Sequence, residues 1–145
     1  MRKIGLIPFD VERDKIAVLL VTSMARRRWI LPKGNVKNKE KAVAAVHREA
    51  FEEAGIKGIV LEQFPMTLPI GKSISKSVVK VPVTYYPFLV TEQLDAWPEK
   101  DKRQRHWALL KDSDRAVYRE DYIHVLSAFE QLSEWIIKAA KEHKS

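Results

Sequence analysis

Three glutamates fall within five positions of this 145-residue chain, Glu49, Glu52 and Glu53, and an arginine, Arg48, directly precedes the first. On a helix turning about 100° per residue, positions i, i+3 and i+4 share one side, so the three carboxylates project together. Unneutralised, they repel one another. A hard divalent cation, which prefers carboxylate oxygen and keeps several of its waters, turns that repulsion into binding. Arg48 stands four residues before Glu52 and can brace it from the flank. The apolar side of the same helix is Val43, Val46, Ala50 and Ala54, roughly 100° around from the acids, so the helix can anchor on a sheet and aim its carboxylates at solvent. Asn38 is the expected N-cap, Glu40 suits the positive end of the helix dipole, and Gly55 is placed to end the helix. His47, on the edge of the apolar wedge, reads as a boundary histidine rather than a metal ligand.

From Gly34 to Ile56 the chain runs GNVKNKEKAVAAVHREAFEEAGI. Gly34, Glu40, Arg48, Glu49, Ala50, Glu52, Glu53, Gly55 and Ile56 match every fixed position of the Nudix box, and in this stretch the chain resembles the Nudix hydrolase family. The resemblance implies an α/β/α sandwich with a mixed central sheet, a catalytic helix over about 39–54 on one face and a C-terminal helix over about 119–141 on the other. It implies hydrolysis of a phosphoanhydride with Mg²⁺ or Mn²⁺ held by Glu49, Glu52 and Glu53. The carbonyl of Gly34 is a further implied ligand, and Glu40 a supporting residue. Glu49 is the first choice of general base, with Glu92, Glu99 and Glu120 as candidates outside the box.

A substrate with many phosphates needs cations beside the metal helix. Arg26, Arg27 and Arg28 lie just upstream of it, and guanidinium forks match phosphate oxygens bidentately. The plain reading of the triplet is a solvated loop. Lys33 adds a point charge next to Gly34, where a glycine lets the backbone come close. Arg103 and Arg105 alternate on one strand face, as a solvated edge or a second anion contact. The run RRRWILPKG before the box resembles diphosphoinositol polyphosphate hydrolases and diadenosine polyphosphate hydrolases, which implies a small-molecule polyphosphate as substrate. A Nudix-fold module that binds a nucleotide or polyphosphate without turnover is the alternative. Nucleic acid is not expected as partner beyond a capped or triphosphorylated end, because no basic-aromatic interleaving for stacking single strands is present.

The remaining chain reads as one domain, 1–145. A net charge of +7 suits a polyanionic ligand without choosing one. With no cysteine, thiolate-metal and cysteine-nucleophile chemistry are excluded. The apolar run Ile4–Phe9 is too short to span a membrane, so no membrane partner is expected and cytoplasm is the default compartment. Strands are expected over Lys3–Phe9 and Lys15–Thr22 around a turn from Asp10 to Asp14, over Gly58–Met66, over Val78–Thr91, bulged, interrupted or at an edge at Pro82 and Pro87, and from Arg103 to Leu110. Leu68–Ser77, with Pro69 and Gly71, reads as a connection. Tyr85 and Tyr86 point to opposite faces of a regular strand, with core packing the first expectation for each. From Arg119 to Lys141, apolar residues at steps of three and four predict one amphipathic helix.

Overall fold

The computed structural model describes residues 2–145. Strands β1 (Lys3–Glu12) and β2 (Lys15–Thr22) form a hairpin whose turn is tighter than the sequence suggests. Only Arg13 and Asp14 lie outside the ladder, at φ 51° and 62°. Positive φ at both central residues matches the right-handed twist of the flanking strands, so pairing runs through to Glu12 opposite Lys15.

Two short strands follow, β3 (Trp29–Ile30) against β2 and β4 (Lys33–Asn35) against β1. After the first helix come β5 (Ile56–Val60), β6 (Met66–Ile74), the 17-residue β7 (Ser77–Gln93) and β8 (Arg105–Leu109). The sheet order is β3-β2-β1-β7-β5, with β4 on β1, β6 on β7 and β8 on β2. Only β1 and β7 pair in parallel, which makes the sheet mixed. The stretch expected as a connection is mostly strand β6. Pro69 sits opposite Pro82 within it, and an edge strand tolerates proline because its outer side makes no ladder. Pro87 does not interrupt β7, which stays in register with β1 there; the irregularity lies instead between Lys57 and Gly58 on β5.

Helix α1 (Ala42–Glu49) continues as a wider π-helical turn from Ala50 to Ala54. It begins later than the sequence suggests. Lys41 is the N-cap residue, and no side chain caps the first turn. Asn38 lies in a preceding turn closed by the Glu40 amide donating to the Lys37 carbonyl, and the Glu40 carboxylate is turned back onto Arg48. Gly55 ends the helix as expected, at φ 64° and ψ 41°.

Ala45, Val46, Ala50 and Ala54 bury one side of α1 against Ile4, Leu6, Leu19, Val21 and Phe88 on one face of the sheet. The opposite face is covered by α2 (Leu110–Ala116), α3 (Glu120–Gln131) and α4 (Ser133–Lys144), packed on Phe9, Val18, Leu20, Val83 and Tyr85. The single C-terminal helix of the sequence reading is therefore two. The chain breaks at Leu132, with φ −99° and ψ 5°, where the Leu132 amide donates to Phe129 three residues back. Tyr122, Val125, Leu126 and Phe129 form one buried stripe, and Ile136, Ala139 and Ala140 form another, while Trp135 is left 57% exposed. Phe129 and Ile136 are seven residues apart, nearly two full turns, so the apolar spacing runs on through the break. Helix α2 was not anticipated at all.

At Gly55, a Cβ would lie 2.7 Å from the Trp97 indole as well as holding a positive φ. Gly55→Ala is expected to destabilise the fold by about 1–3 kcal/mol, read as a lower urea midpoint with an unchanged slope.

Candidate active site

The first interaction at the site is local. Arg48 donates from Nε and Nη2 to the two Glu40 oxygens, both at 2.9 Å, from Nη1 to Glu49 at 2.6 Å, and from Nη2 to the Asn35 carbonyl at 2.8 Å. Its Nη1 also lies 3.5 Å from Glu52. One guanidinium thus ties β4, the turn before the helix and two box glutamates together. This forked pairing is the geometry in which Arg exceeds Lys. The Arg48 charge and the Lys37 amide hold Glu40 at a pKa of about 2, and Glu40 in turn raises that of Arg48.

The second interaction crosses the fold. Glu53 is 4% exposed; it accepts from the Lys33 amide at 3.1 Å and forms an ion pair with Arg103 Nη2 at 3.0 Å. Arg103 also pairs with Glu99 at 2.6 Å and donates to the Thr22 carbonyl. Burial pushes the Glu53 carboxyl well above its usual range despite Arg103; the charges of Glu49 and Glu99 push it further, and Glu49 accepts a hydrogen bond from its protonated form. Glu53 therefore takes up a proton more readily than an ordinary carboxylate.

The expectation that all three acids aim at solvent is thus corrected. Glu49 and Glu53 are buried, and only Glu52, with 35% of its side chain exposed, faces outward. The helix lies closer to β4 than an exposed acidic face would allow. A Cβ on Gly34 would fall 2.2 Å from Glu49 Oε1, so only glycine lets the carboxylate rest there.

A hard divalent cation fits this donor set. The donors are all oxygen, two buried acids lie beside each other, burial disfavours the charge on Glu53 that a cation would compensate, and Glu52 stands at the solvent edge. Among the described residues no three acidic or histidine side chains already form a closed cage. Mg²⁺ does not need one, because it is commonly held by one or two carboxylates with water and substrate phosphate completing its shell. Glu49, Glu53 and Glu52 would hold it, with the Gly34 backbone alongside.

The basic residues separate into two groups. The loop bearing Arg26, Arg27 and Arg28 is closed by Ser23, whose amide donates to the Arg28 carbonyl and whose hydroxyl accepts from the Arg28 amide. Arg26 and Arg28 line an open cavity of about 800 Å³ with Lys33, Lys80, Arg119 and Tyr122. Arg28 stacks on Tyr118, and Arg27 is exposed but is not part of that lining. Lys33 is partly desolvated, which lowers its pKa, and it approaches the Tyr122 ring. Arg103 and Arg105 are not brought to this cavity. Arg103 is spent on Glu53 and Glu99, and Arg105 lies 3.8 Å over the Trp97 ring while donating to the Ala54 carbonyl at the helix C-terminus. Both brace α1 and the π-helical turn that follows it.

Lys80, Arg119 and Asp121 were missed by the sequence reading. Burial alone would raise the Asp121 pKa, yet Lys80 at 2.6 Å and the Gly71 amide outweigh it and leave it lowered. The two ends of that pair are 41 residues apart with no motif around them, so no local signal could have found it. Of the glutamates outside the box, Glu99 adjoins the cluster, its amide donating to the Glu52 carbonyl; Glu120 is exposed and lines the Arg26–Arg28 cavity, and Glu92 is exposed on β7. Tyr85 is core, with its hydroxyl buried and unpartnered; Tyr86 faces the α1 side. His47 is exposed, its ring edge-on to Phe88 at 5.6 Å.

The arginine-braced acids on a helix against a mixed sheet define a Nudix fold, and a model of the NUDIX domain matches residues 1–129. The chain belongs to the Nudix family. It is 36% identical over 109 residues to Nudix hydrolase 12, mitochondrial, of Arabidopsis thaliana, covering 69% of this chain and 51% of that protein. This chain therefore spans about half the length of that relative. Diphosphoinositol polyphosphate phosphohydrolase 3-beta of Bos taurus is 27% identical, with 85% of this chain and 73% of that protein covered. In fold, the chain is similar to the C. elegans Ap4A hydrolase in its binary complex, with a TM-score of 0.68, 24% identity, and 94% and 99% of the two chains covered. No helix among the described residues is long and apolar enough to cross a membrane.

Arg103→Met should separate the two roles of the Glu53 pair. Because the folded pKa of Glu53 is raised, its neutral form stabilises the fold fully below the usual carboxyl range, and that contribution is lost as pH rises through the folded value. Without Arg103 the loss deepens. Urea unfolding in EDTA should show a deficit of about 3–5 kcal/mol at pH 8 that shrinks toward pH 5. A deficit independent of pH would mean that Arg103 acts by packing alone.

Proposed function

We propose that this protein is a Mg²⁺-dependent hydrolase that cleaves a phosphoanhydride bond in a small-molecule polyphosphate. The observation that carries the reading is the buried Glu49–Glu53 pair, held by Arg48 and Arg103 beside an open basic cavity. Nothing in the stability of the fold asks for two neighbouring acids in a buried wall; a cation-binding reaction centre does. When bound, the cation would neutralise phosphate oxygens and acidify water.

The chain's own residues do the rest by position and electrostatics. Arg48 holds Glu49 and Glu52 in place. Arg103 and the Lys33 amide hold Glu53 in place. We assign the general base to Glu49, with Glu99 the best-placed carboxylate outside the box. Arg26, Arg28, Lys33 and the Lys80–Arg119 flank of the cavity would receive the distal phosphates, with Tyr122 as its aromatic wall. Arg27, exposed at the same loop tip, would add to the local field.

A diphosphoinositol polyphosphate or a dinucleoside polyphosphate fits this cavity. Support comes from its charge and volume, and from the names of the bovine relative and the nematode structural neighbour. Mn²⁺ would serve in place of Mg²⁺, having the same taste for oxygen donors. The same reading keeps the cytoplasm as compartment, although the plant relative is named mitochondrial.

Phosphate release with Mg²⁺, screened over dinucleoside polyphosphates, diphosphoinositol polyphosphates, nucleoside triphosphates and nucleotide sugars, tests the reading. Glu52→Gln and Glu53→Gln should each lower turnover by orders of magnitude with the fold retained. Neutralising Arg26 and Arg28 should mainly raise KM for the substrates with most phosphates. Tight binding without hydrolysis of any of them would instead mark a polyphosphate-binding module.

A further inference from the structure

An acid, Asp121, lies among the cations of the Arg26–Arg28 cavity, where a polyanion would be better served by none. It stands in the first turn of α3, where an acid can turn back onto the free amides of its own helix. Asp121 turns away from them. Its Oδ2 accepts from the Gly71 amide at 2.9 Å, and its Oδ1 accepts from the Lys80 ammonium at 2.6 Å. Arg119 completes the grip, with Nη1 donating to the Gly71 carbonyl at 3.2 Å and Nη2 lying 3.5 Å from Asp121. Gly71 is thus held by both polar ends of its backbone, and Lys80 is the residue opposite it in the ladder.

That one rung ties down the β6–β7 ribbon. Residues 72–80 are all exposed, and among the described residues the Lys80–Asp121 pair is the one hydrogen bond or ion pair they make outside their own ladder. The same rung borders the cavity, which Ser73, Lys80 and Arg119 all line. Asp121 is buried, whereas Lys80 and Arg119 keep 58% and 36% of their side chains exposed. An ammonium has three donors and a guanidinium five, so each has N–H groups left for a ligand.

Asp121 can act on a bound phosphate in two opposed ways. Its negative charge repels, but two cations already neutralise it, and what remains is screened across a solvent-filled cavity. Its hold on Lys80 removes freedom that a long, flexible side chain would otherwise lose at the moment of binding. The second effect prevails, because the acid is buried and its partner rides on a ribbon with no other anchor.

We propose that Asp121 is a positioning residue of this cavity, fixing Lys80, and with it the ribbon wall, where a ligand phosphate arrives. The assignment rests on the reading of the cavity as the seat of the polyphosphate. Its sign is opposite to that of an acid that merely repels: removing the negative charge should weaken the binding of an anion.

The test titrates the full chain with inorganic tripolyphosphate in EDTA and reads affinity at this cavity from amide NMR shifts at Ser73, Lys80 and Arg119. Asp121→Asn keeps an oxygen for the Gly71 amide and loses the charge that holds Lys80. It should bind about tenfold more weakly, the size of one charge-assisted contact, and Lys80→Ala should do likewise. The double variant should bind as Lys80→Ala does, because an acid that acts through Lys80 has nothing to act on without it. Unchanged or tighter binding by Asp121→Asn overturns the proposal and leaves the hydrolase reading standing. An equal further loss in the double variant, or no saturable shift at these amides in wild type, overturns it too. No step of this titration needs turnover, so a failed hydrolysis screen does not touch its result. With a hydrolysed substrate in hand, Asp121→Asn should raise KM about tenfold and hold kcat within about twofold, since the Glu49 and Glu53 wall is unchanged. A lowered kcat at constant KM would contradict the assignment.

Discussion

Two arginines hold apart and in place what would otherwise repel. Glu49 and Glu53 are buried beside each other, and buried like charges are tolerated only when paired and hydrogen-bonded. Arg48 binds the first from the same helix, and Arg103 binds the second from across the sheet. The rest of the architecture follows from bringing those two guanidiniums to one wall. Strand β4 must lie close enough for Gly34 to accept the Glu49 carboxylate. The helix must widen after Glu49, and the 94–104 connection must fold back so that Glu99 and Arg103 reach Glu53.

Bracing by Trp97 and Arg105 serves the same end. The Trp97 indole donates to the Glu53 carbonyl, and Arg105 covers the last carbonyls of the widened turn. A cation near a helix C-terminus also suits the dipole. The exit of that helix is therefore fixed by side chains far from it in sequence. Its start, with no capping side chain, is fixed by Arg48 gripping Glu40. Each end of the helix is positioned by tertiary pairing more than by intrinsic propensity, as is usual for short helices.

What the sequence made legible was what is local. Helical spacing put Glu49, Glu52 and Glu53 together and placed Gly55 at the stop, because a 3.6-residue period and a left-handed cap need only neighbours along the chain. Burial of the acids was not legible, because it depends on β4 lying against the helix. Arg103 and Arg105 looked like a matched pair on one strand face, yet Arg103 precedes the strand, and both turn inward to partners about 50 residues away. Pro69 and Gly71 suggested a loop where there is an edge strand, since a single sequence does not say which strand has a free side. The break at Leu132 was hidden because apolar steps of three and four continue straight through it.

The sheet also places the acidic wall beside the basic cavity. Strand β4 runs along both, with Lys33 lining the cavity and Gly34, next in the chain, lying against Glu49 on the other face. Two consecutive residues thus join an anion surface to an acidic wall. Whether that wall is a cation site is the claim on which the functional account stands. Electron paramagnetic resonance of Mn²⁺ titrated into the substrate-free protein at pH 7.5 addresses it directly. The account predicts a saturable protein-bound signal that is lost in Glu49→Gln with Glu53→Gln and weakened about 10–100-fold in Arg48→Ala. Equal Mn²⁺ binding by the wild type and the double variant would contradict it.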